Sequence, residues 1–480
     1  MTAPAAATIA GSTKRIIIIG GGVSGLACAW RLRQRLPTAH ITVLEAAPHV
    51  GGMLRTQRED GQVLELGPDS ILRAKPAGIE LIRELGLMDQ VQETEPTARS
   101  SLIARGGRLL AVPEGLYLLA PGRIWPFVWS RVISWRGKLR MLKDLFIPPE
   151  TLDDETLGSF VRRRLGREAL DRLAQPLVSG IYTADPEQLS LAATMPQFLE
   201  MERAHGSLLL AMRRRMRDQA TAAASGPRYS LFVSLRGGLQ VLVDTLAERL
   251  RGLGVELRTA TPVRSMTRLG AAWQVALADE ALIADAVVVA GPAWSAAAVL
   301  RETDPLLSEQ LAGIVYAGVA TVNLTWRREQ IPTLPAAAGF VVPAVEGRSL
   351  VACTFSNRKY GGRTPDHLVS VRAFVGGALH QHHLERDDAA LVAALQADLK
   401  DLLRITAPPE RVVVTRWPRA MAQYHLGHRE RVAAIRAREA ACGTLALIGN
   451  GYEGVGIPDV VAQANDAAQR IISGIDQVSC

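Results

Sequence analysis

The sequence predicts an α/β fold, on three observations. A β-branched run, Ile16 to Ile19, is too short to cross a membrane and suits a strand buried on both faces. Gly20, Gly22 and Gly25 follow at once, spaced G-x-G-x-x-G, and lead into a helical pattern. A second apolar run, Ile41 to Leu44, ends on the acid Glu45. Strand, glycine turn, helix, strand and acid in that order describe a Rossmann-like unit that binds an adenine dinucleotide.

Each part has its own physical reason. The first glycine permits a tight turn, the second lets backbone approach a pyrophosphate, and the third lets the helix pack closely on the strand. Val23 to Leu36 reads as the helix, with Leu26, Ala27 and Trp30 on one side and Arg31, Arg33 and Arg35 largely outside; Pro37 ends it. Its first amides and partial positive charge suit a pyrophosphate. Glu45 stands where a carboxylate binds a ribose 2′-hydroxyl. An acid there argues against a 2′-phosphate, so FAD or NAD is preferred over NADP.

At 480 residues the chain is long enough for two or three domains, and 48% hydrophobic content supplies sizeable cores. The net charge of +8 suits an anionic cofactor, a carboxylate-bearing substrate or an acidic membrane surface. The basic residues are scattered without an aromatic-interleaved stripe, so no nucleic-acid partner is expected. Cys28, Cys353, Cys442 and Cys480 form no CxxC pair and read as free thiols in a reducing, cytoplasmic compartment. Residues 1 to 14 have no basic segment ahead of an apolar one and read as a loose tail rather than a signal peptide. No apolar run reaches the roughly 18 residues of a spanning helix.

Beyond Glu45, the run Gly51-Gly52-Met53-Leu54-Arg55-Thr56 lets the chain pass close to a cofactor and gives Arg55 reach to a phosphate. Glu65-Leu66-Gly67-Pro68-Asp69-Ser70 fits a second layer of nucleotide contacts. A helix is predicted over 76–92, with Gly86 marking its end, and a hairpin over 102–112 turning at Gly106-Gly107. Leu116 to Trp135 gathers Tyr117, Trp125, Phe127, Trp129 and Trp135 with Arg123 and Arg131. That mixture suits a membrane interface or partner groove, and equally a core helix with basic edges. Helices are predicted over 152–175, with Arg162 to Arg164 solvated, and over 197–220. Pro176 to Tyr182 between them is too apolar for an exposed loop. Thr221 to Gly226 reads as a small-residue linker.

A helix from Gly237-Gly238 to Leu250 and strands at 255–258, 262–266 and 286–290 return to the first domain. Strands at 315–326, 339–343, 349–355 and 368–375 make a second sheet, and Asp387 to Arg404 an amphipathic helix. Leu445 to Ile448 is a last buried strand, and Ile457-Pro458-Asp459 opens a final helix to about Ile472. The expected organisation is discontinuous. A dinucleotide-binding domain is built from 14–90, 226–300 and 421–480, with a helical insertion at 91–225 and a mixed-sheet substrate domain of antiparallel type at 301–420.

The N-terminal GGGVSGL and the element GGMLRT resemble the broad amine-oxidase-like flavoproteins. More narrowly, PLVSGIYTADPEQLSL (176–191) and GNGYEGVGIPDVV (449–461) resemble the protoporphyrinogen and coproporphyrinogen oxidase family, as do SLRGGLQVL (234–242) and VACTFSNRKYGGRTPD (351–366). The resemblance spans nearly the whole chain, and the two longer motifs are the specific ones. It implies FAD bound non-covalently in an extended form. Carried over by motif, Gly20, Gly21, Gly22, Val23, Ser24 and Gly25 hold the pyrophosphate and Glu45 the adenosine ribose. Gly67, Pro68, Asp69 and Ser70 approach the ribityl chain and flavin, and Val263 contacts adenine through its backbone. Trp417, Val455, Gly456 and Ile457 lie beside the flavin, with the amides of Gly456 and Ile457 suited to a reduced, anionic ring. Ala46, Met53 and Arg55 complete the set.

The resemblance also implies a reaction: a porphyrinogen loses six electrons in three two-electron steps, in heme biosynthesis, with O2 or another acceptor reoxidising FAD. Protoporphyrinogen IX is the expected substrate and coproporphyrinogen III a close contender. Some relatives carry an arginine soon after the VP or LP of the segment that here reads VPEGLYLLAP, where none occurs until Arg123. That departure leaves the choice open. A peripheral membrane contact through 116–135 and a homodimer are compatible with the sequence. Tyr424 and His425 lie near Trp417 but nominate no firm general base, and His380, His382 and His383 lack a second ligand cluster for a metal. Two other readings use the same fold. An amine or carotenoid oxidoreductase is opposed by the motif at 176–191. A non-catalytic binding protein, like the prenylated-GTPase escorts, is opposed by the complete set of Glu45 and Val455 to Ile457.

Overall fold

Five strands lie side by side, all parallel, in the order Glu256–Arg258, His40–Leu44, Arg15–Ile19, Ala286–Ala290, Leu445–Ile448. The computed structural model describes residues 13–479 apart from 99, 114–115, 118–119, 122–123, 151 and 223–230. Alternation explains the unbroken isoleucine run. Ile16 and Ile18 join the core formed with helices Val23–Arg35, Gln240–Gly252 and Ile457–Ser479. Ile17 belongs to the core on the opposite face, with Met266, Trp273 and Val275 of a three-stranded antiparallel sheet. A strand covered on both faces has no polar side to show. Strand order reverses between Arg15–Ile19 and Ala286–Ala290, which opens a crevice beyond their carboxyl ends.

A second, seven-stranded sheet runs Arg411–Ala422, Tyr316–Arg327, Leu368–Gly376, Ala352–Phe355, Gly339–Val341, Ser101–Arg105, Arg108–Ala111. It is antiparallel except where Gly339–Val341 pairs in parallel with Ser101–Arg105, so it is mixed. Helix Asp388–Leu403 covers its core, capped by Asp387, whose Oδ1 accepts from the Ala390 amide at 2.7 Å.

Several expectations change. The helix predicted to reach residue 92 stops at Glu84, where Gly86 turns at φ +73°. Val91–Glu93 is instead a strand paired with Phe232–Leu235. The hairpin turning at Gly106-Gly107 belongs to the second sheet rather than to the helical insertion. Arg411–Ala422 is a 12-residue strand that its arginines disguised, and the helix His428–Cys442 was not foreseen. The strand expected from Pro262 begins at Ser265. Arg33 is buried, donating to the carbonyl of Pro37. Most of the linker expected after Ala222 lies outside the described residues, as do Arg123 and Cys480.

Two corrections fall in the insertion. The helix there starts at Leu157, capped by Thr156, and Arg162 to Arg164 do not form a solvated face. Arg164 is fully buried, paired with Glu202 and Asp144, because helices Leu157–Arg164 and Pro196–His205 meet over it. Pro176 to Tyr182 lies in helix Gln175–Tyr182, which ends on Thr183 at φ +50°. The second correction concerns the tryptophans. Phe127 is buried, but Trp125, Trp129 and Trp135 are 73%, 75% and 60% exposed, which removes the core-helix reading. Among the described residues no helix is long and apolar enough to cross a membrane.

Two outcomes follow for stability. Glu202→Ala leaves the buried Arg164 guanidinium with only the longer carboxylate contact, to Asp144 at 3.3 Å, and should cost about 3 kcal/mol in a denaturant titration; a loss below ~1 kcal/mol would show the pair to be dispensable. Burial, and then His382 and Arg386, hold the buried His383 at about 4. Its folded pKa lies below the unfolded ~6.5, so its neutral form supports the fold fully above pH ~6.5 and progressively less as pH falls towards 4. His383→Asn should therefore flatten the decline of Tm between pH 7 and pH 5.

Candidate functional site

Four turns converge at the carboxyl edge of the parallel sheet: Gly20–Gly22, Glu45–Ala47, Gly291–Pro292 and Gly449–Gly456. Gly20 sits at φ +110°, and a Cβ there would collide with the Ala290 carbonyl oxygen of the neighbouring strand. A Cβ on Gly25 would strike the Gly20 carbonyl, so the helix can press onto the turn only without one. A Cβ on Gly22 would meet nothing within 4 Å. That glycine faces open space at the start of the helix, where a phosphate needs backbone and no side chain.

Glu45 is already oriented. Its Oε2 accepts from the Gly21 amide at 2.7 Å and its Oε1 from the Ala47 amide at 2.8 Å. Each oxygen keeps a lone pair for a ribose hydroxyl. Ala46 is exposed beside it, and Val263 is half-buried two residues past Thr261, whose amide donates to the Glu45 carbonyl. Val23 and Ser24 are buried in the first turn of the helix. Gly51 bridges to Gly22 and its amide donates to Gly21, which brings Met53 and Arg55 to the same edge. Arg55 is half-buried, and its guanidinium has no partner among the described residues. A half-buried cation without an anion, beside a phosphate-sized glycine turn, fits a pyrophosphate.

The segment Glu65–Ser70 links this edge to the second sheet. Asn323 donates to the Glu65 carbonyl at 3.1 Å, Thr321 and Trp417 to Leu66 at 2.8 and 2.9 Å, and Arg372 to Gly67 at 2.9 Å. With those carbonyls taken, the amides of Gly67, Asp69 and Ser70 have no partner among the described residues and stay open to a ligand. The Asp69 carboxyl would be raised by burial, but Lys359 and Arg372 at 2.9 and 3.2 Å hold it well below the usual range.

At the far end, Gly456 and Ile457 begin the last helix. The Gly456 amide is committed to Asp459 Oδ2 at 3.1 Å, whereas the Ile457 amide has no partner among the described residues. Val455 packs against the larger core. Groups missed in the sequence hold the turn before it. The Tyr424 hydroxyl donates to the Asn450 carbonyl at 2.8 Å and accepts from the Gly454 amide at 2.9 Å. Tyr316 accepts from the Ala293 amide at 2.9 Å and lies 3.4 Å from Asn450 Oδ1. Gly449, at φ +146°, lies against the Gly291 carbonyl. Only the glycines and Asn450 could have signalled this; the tyrosines carry no spacing that would.

The fold is that of a Rossmann-like α/β protein whose second sheet is joined to the carboxyl edge of the parallel sheet through the segment Glu65–Ser70. The sequence pattern of the family described as flavin containing amine oxidoreductase matches residues 23–472. Coproporphyrinogen III oxidase of Propionibacterium freudenreichii subsp. freudenreichii is 36% identical over 489 residues, which cover 95% of this chain and 90% of its own. Protoporphyrinogen oxidase of Bos taurus is 30% identical, covering 96% and 98%. A crystal structure from Exiguobacterium sp. 255-15, provisionally named a protoporphyrinogen oxidase, superposes with a TM-score of 0.85 at 30% identity, covering 96% and 99%. The chain belongs to the flavin containing amine oxidoreductases, in the branch that holds the porphyrinogen oxidases.

The glycines separate fold from cofactor. Gly22→Ala should keep stability within about 0.5 kcal/mol and weaken flavin binding by tenfold or more, about 1.4 kcal/mol. Gly25→Ala should cost about 1–3 kcal/mol of stability. Flavin content after desalting and thermal melts of both variants check this, and a Gly22→Ala protein with full flavin would remove the pyrophosphate assignment.

Proposed function

We propose that this chain is an FAD-dependent oxidase that takes six electrons from a porphyrinogen in heme biosynthesis, with coproporphyrinogen III as its first substrate. The observation that carries the reading is near full-length identity to porphyrinogen oxidases, 36% with a coproporphyrinogen III enzyme against 30% with a protoporphyrinogen enzyme. That difference supports placing coproporphyrinogen III first, where the sequence alone put protoporphyrinogen IX first and coproporphyrinogen III as a close contender. The glycine turn Gly20–Gly25 with Glu45 oriented beside it supports FAD as the particular flavin, and Glu45 fits an unphosphorylated ribose.

Bound FAD supplies the acceptor for three successive two-electron oxidations, and O2 or another acceptor takes the electrons on. The chain's own residues bind and orient. Gly20–Gly25, Arg55 and Glu45 hold the adenosine diphosphate end; Gly67–Ser70, Trp417, Val455 and Ile457 hold the flavin end. The insertion reaches that end at several points, among them Ser190, whose amide donates to the Tyr424 carbonyl at 2.8 Å. Gln423 Nε2 donates to the Tyr182 carbonyl at 3.2 Å, and the Ala378 amide donates to Thr183 at 2.8 Å. Insertion, second sheet and flavin-side turn therefore share a wall, which suits a large flat substrate shielded from water.

The face carrying Trp125, Trp129 and Trp135, with Arg131 and Arg136 exposed nearby, supports peripheral contact with an anionic membrane surface.

Purified protein should be yellow and release FAD on denaturation. Supplied with coproporphyrinogen III and protoporphyrinogen IX separately, it should generate porphyrin fluorescence faster from the first; no gain with either rejects the assignment. Sedimentation with anionic vesicles should fall several-fold when Trp125 and Trp129 are changed to Gln, and equal pelleting of both proteins would reject the membrane face.

A further inference from the structure

The stretch Ser356 to Arg363, of which only Lys359 has a role so far, is built over the segment Glu65–Ser70. It leaves strand Ala352–Phe355 as the four-residue helix Ser356–Lys359 and turns at Gly361-Gly362 before the chain reaches strand Leu368–Gly376. Three of its side chains reach down. Lys359 Nζ lies 2.9 and 3.0 Å from the two oxygens of Asp69. The Tyr360 hydroxyl lies 2.8 Å from Ser70 Oγ, which itself donates to Asp69 Oδ1 at 2.6 Å. Arg363 donates to Glu65 Oε1 at 2.9 Å. Tyr360 is buried, and the Lys359 and Arg363 charges sit 5.5 and 5.4 Å from its ring. Arg372 adds a second cation to Asp69 at 3.2 Å from the neighbouring strand.

The burial decides what these contacts do. Glu65 and Arg363 are 6% and 3% exposed, so their pair locks one end of the segment and serves the fold. Asp69 and Lys359 are 15% and 16% exposed, at the other end, next to the unpaired amides of Gly67, Asp69 and Ser70. Arg372 is fixed by its bond to the Gly67 carbonyl and cannot swing. Lys359 is the adjustable member, a single ammonium on a flexible stem that chelates both Asp69 oxygens. It fixes the carboxylate plane, and with it the backbone on which those amides sit.

We propose that Lys359 is a positioning residue: through Asp69 it sets the amides of Gly67 to Ser70 against the flavin, so that the second sheet, and not the dinucleotide domain alone, determines how the ring is held. This rests on the reading of the site as an FAD oxidase. Lys359 touches neither flavin nor substrate in this assignment. Its effect is geometric, and a shift of the order of 1 Å in a positioning group can cost about 100-fold in rate.

The test uses the full chain stripped of flavin and titrated with FAD, read by flavin absorbance and fluorescence, beside turnover of the loaded enzyme. Lys359→Met should alter the flavin absorbance envelope, weaken FAD about threefold to tenfold, and lower kcat about 10–100-fold while KM stays within about twofold. Lys359→Arg, which keeps the charge, should restore the spectrum and most of kcat. Asp69→Asn should reproduce the defect, and adding Lys359→Met to it should change little further. Tyr360→Phe, removing one hydroxyl only, should shift the spectrum in the same direction by less, and reports even if Lys359→Met folds poorly. A wild-type flavin spectrum and FAD affinity in Lys359→Met overturns the proposal. So do equal defects in Lys359→Arg and Lys359→Met, or additive effects in the double variant. Wild-type protein that binds FAD but oxidises neither porphyrinogen would sink the substrate reading alone, because the spectral measurements need no substrate.

Discussion

The buried carboxylate of Glu65 ties together stretches of chain that lie far apart in sequence. Thr56 Oγ1 donates to one oxygen at 2.7 Å, and the Leu239 amide and Arg363 to the other at 2.9 Å each. A desolvated carboxylate is tolerable only when its lone pairs are filled, and here they are filled from the GGMLRT strand, the SLRGGLQVL helix start and the NRKYGGR turn. The carboxylate thereby joins the hairpin Thr56–Glu65 to the start of helix Gln240–Gly252 and to the turn that leads into strand Leu368–Gly376. Thr321, Asn323, Arg372 and Trp417 of the second sheet donate to the carbonyls of Glu65, Leu66 and Gly67, and elsewhere Asn450 donates to the Ala420 carbonyl at 2.8 Å and the Ala293 amide to Tyr316 at 2.9 Å. This seam ties the second sheet to the segment Glu65–Ser70.

Close backbone packing does the same work at the other edge. Gly20 against Ala290, Gly25 against Gly20 and Gly449 against Gly291 are approaches that any side chain would prevent. They draw the turns after three strands into one rim, although the first and last of those strands come from opposite ends of the chain. Gly22 differs because nothing fills the space beside it. Three glycines are therefore explained by packing inside the protein, and one by something that must approach from outside.

This contrast also explains what was legible in the sequence. The parallel sheet could be read because strands covered on both faces become unbroken apolar runs, as at Ile16 to Ile19 and Ala286 to Ala290. The dinucleotide end could be read because its residues are local: Gly20 to Glu45 is one continuous unit. The flavin end is assembled from side chains hundreds of residues apart, and only the resemblance pointed to it. Arg164 looked solvated because its partners Asp144 and Glu202 lie on other helices, outside any local window. Arg411–Ala422 hid as a strand because Arg411, Arg416 and Arg419 break its apolar pattern, Pro418 interrupts it, and its 12 residues pair along one side only. Lys359 and Tyr360 carried a motif but no chemistry until the fold set Asp69 and Ser70 beneath them.

The buried and half-buried phenols and imidazoles around the Gly449–Gly456 turn share one property. Burial pushes the phenols of Tyr182 and Tyr316 up to about 12, and that of Tyr424 further up. Burial also lowers His425 and His428. Each is thereby held neutral at pH 7, and the hydroxyls and the imidazole of His428 are engaged with backbone. Groups held neutral and hydrogen-bonded fix geometry; they are poorly placed to trade protons with a substrate. An oxidation whose electron acceptor is a bound flavin asks no more of the protein than this. It needs a wall that does not change charge, backbone amides aimed at the ring, and a junction between insertion and second sheet that holds a large flat substrate out of water. The chemical burden falls on position, which is why the seam between the sheets, far more than any single acid or base, sets what this site can do.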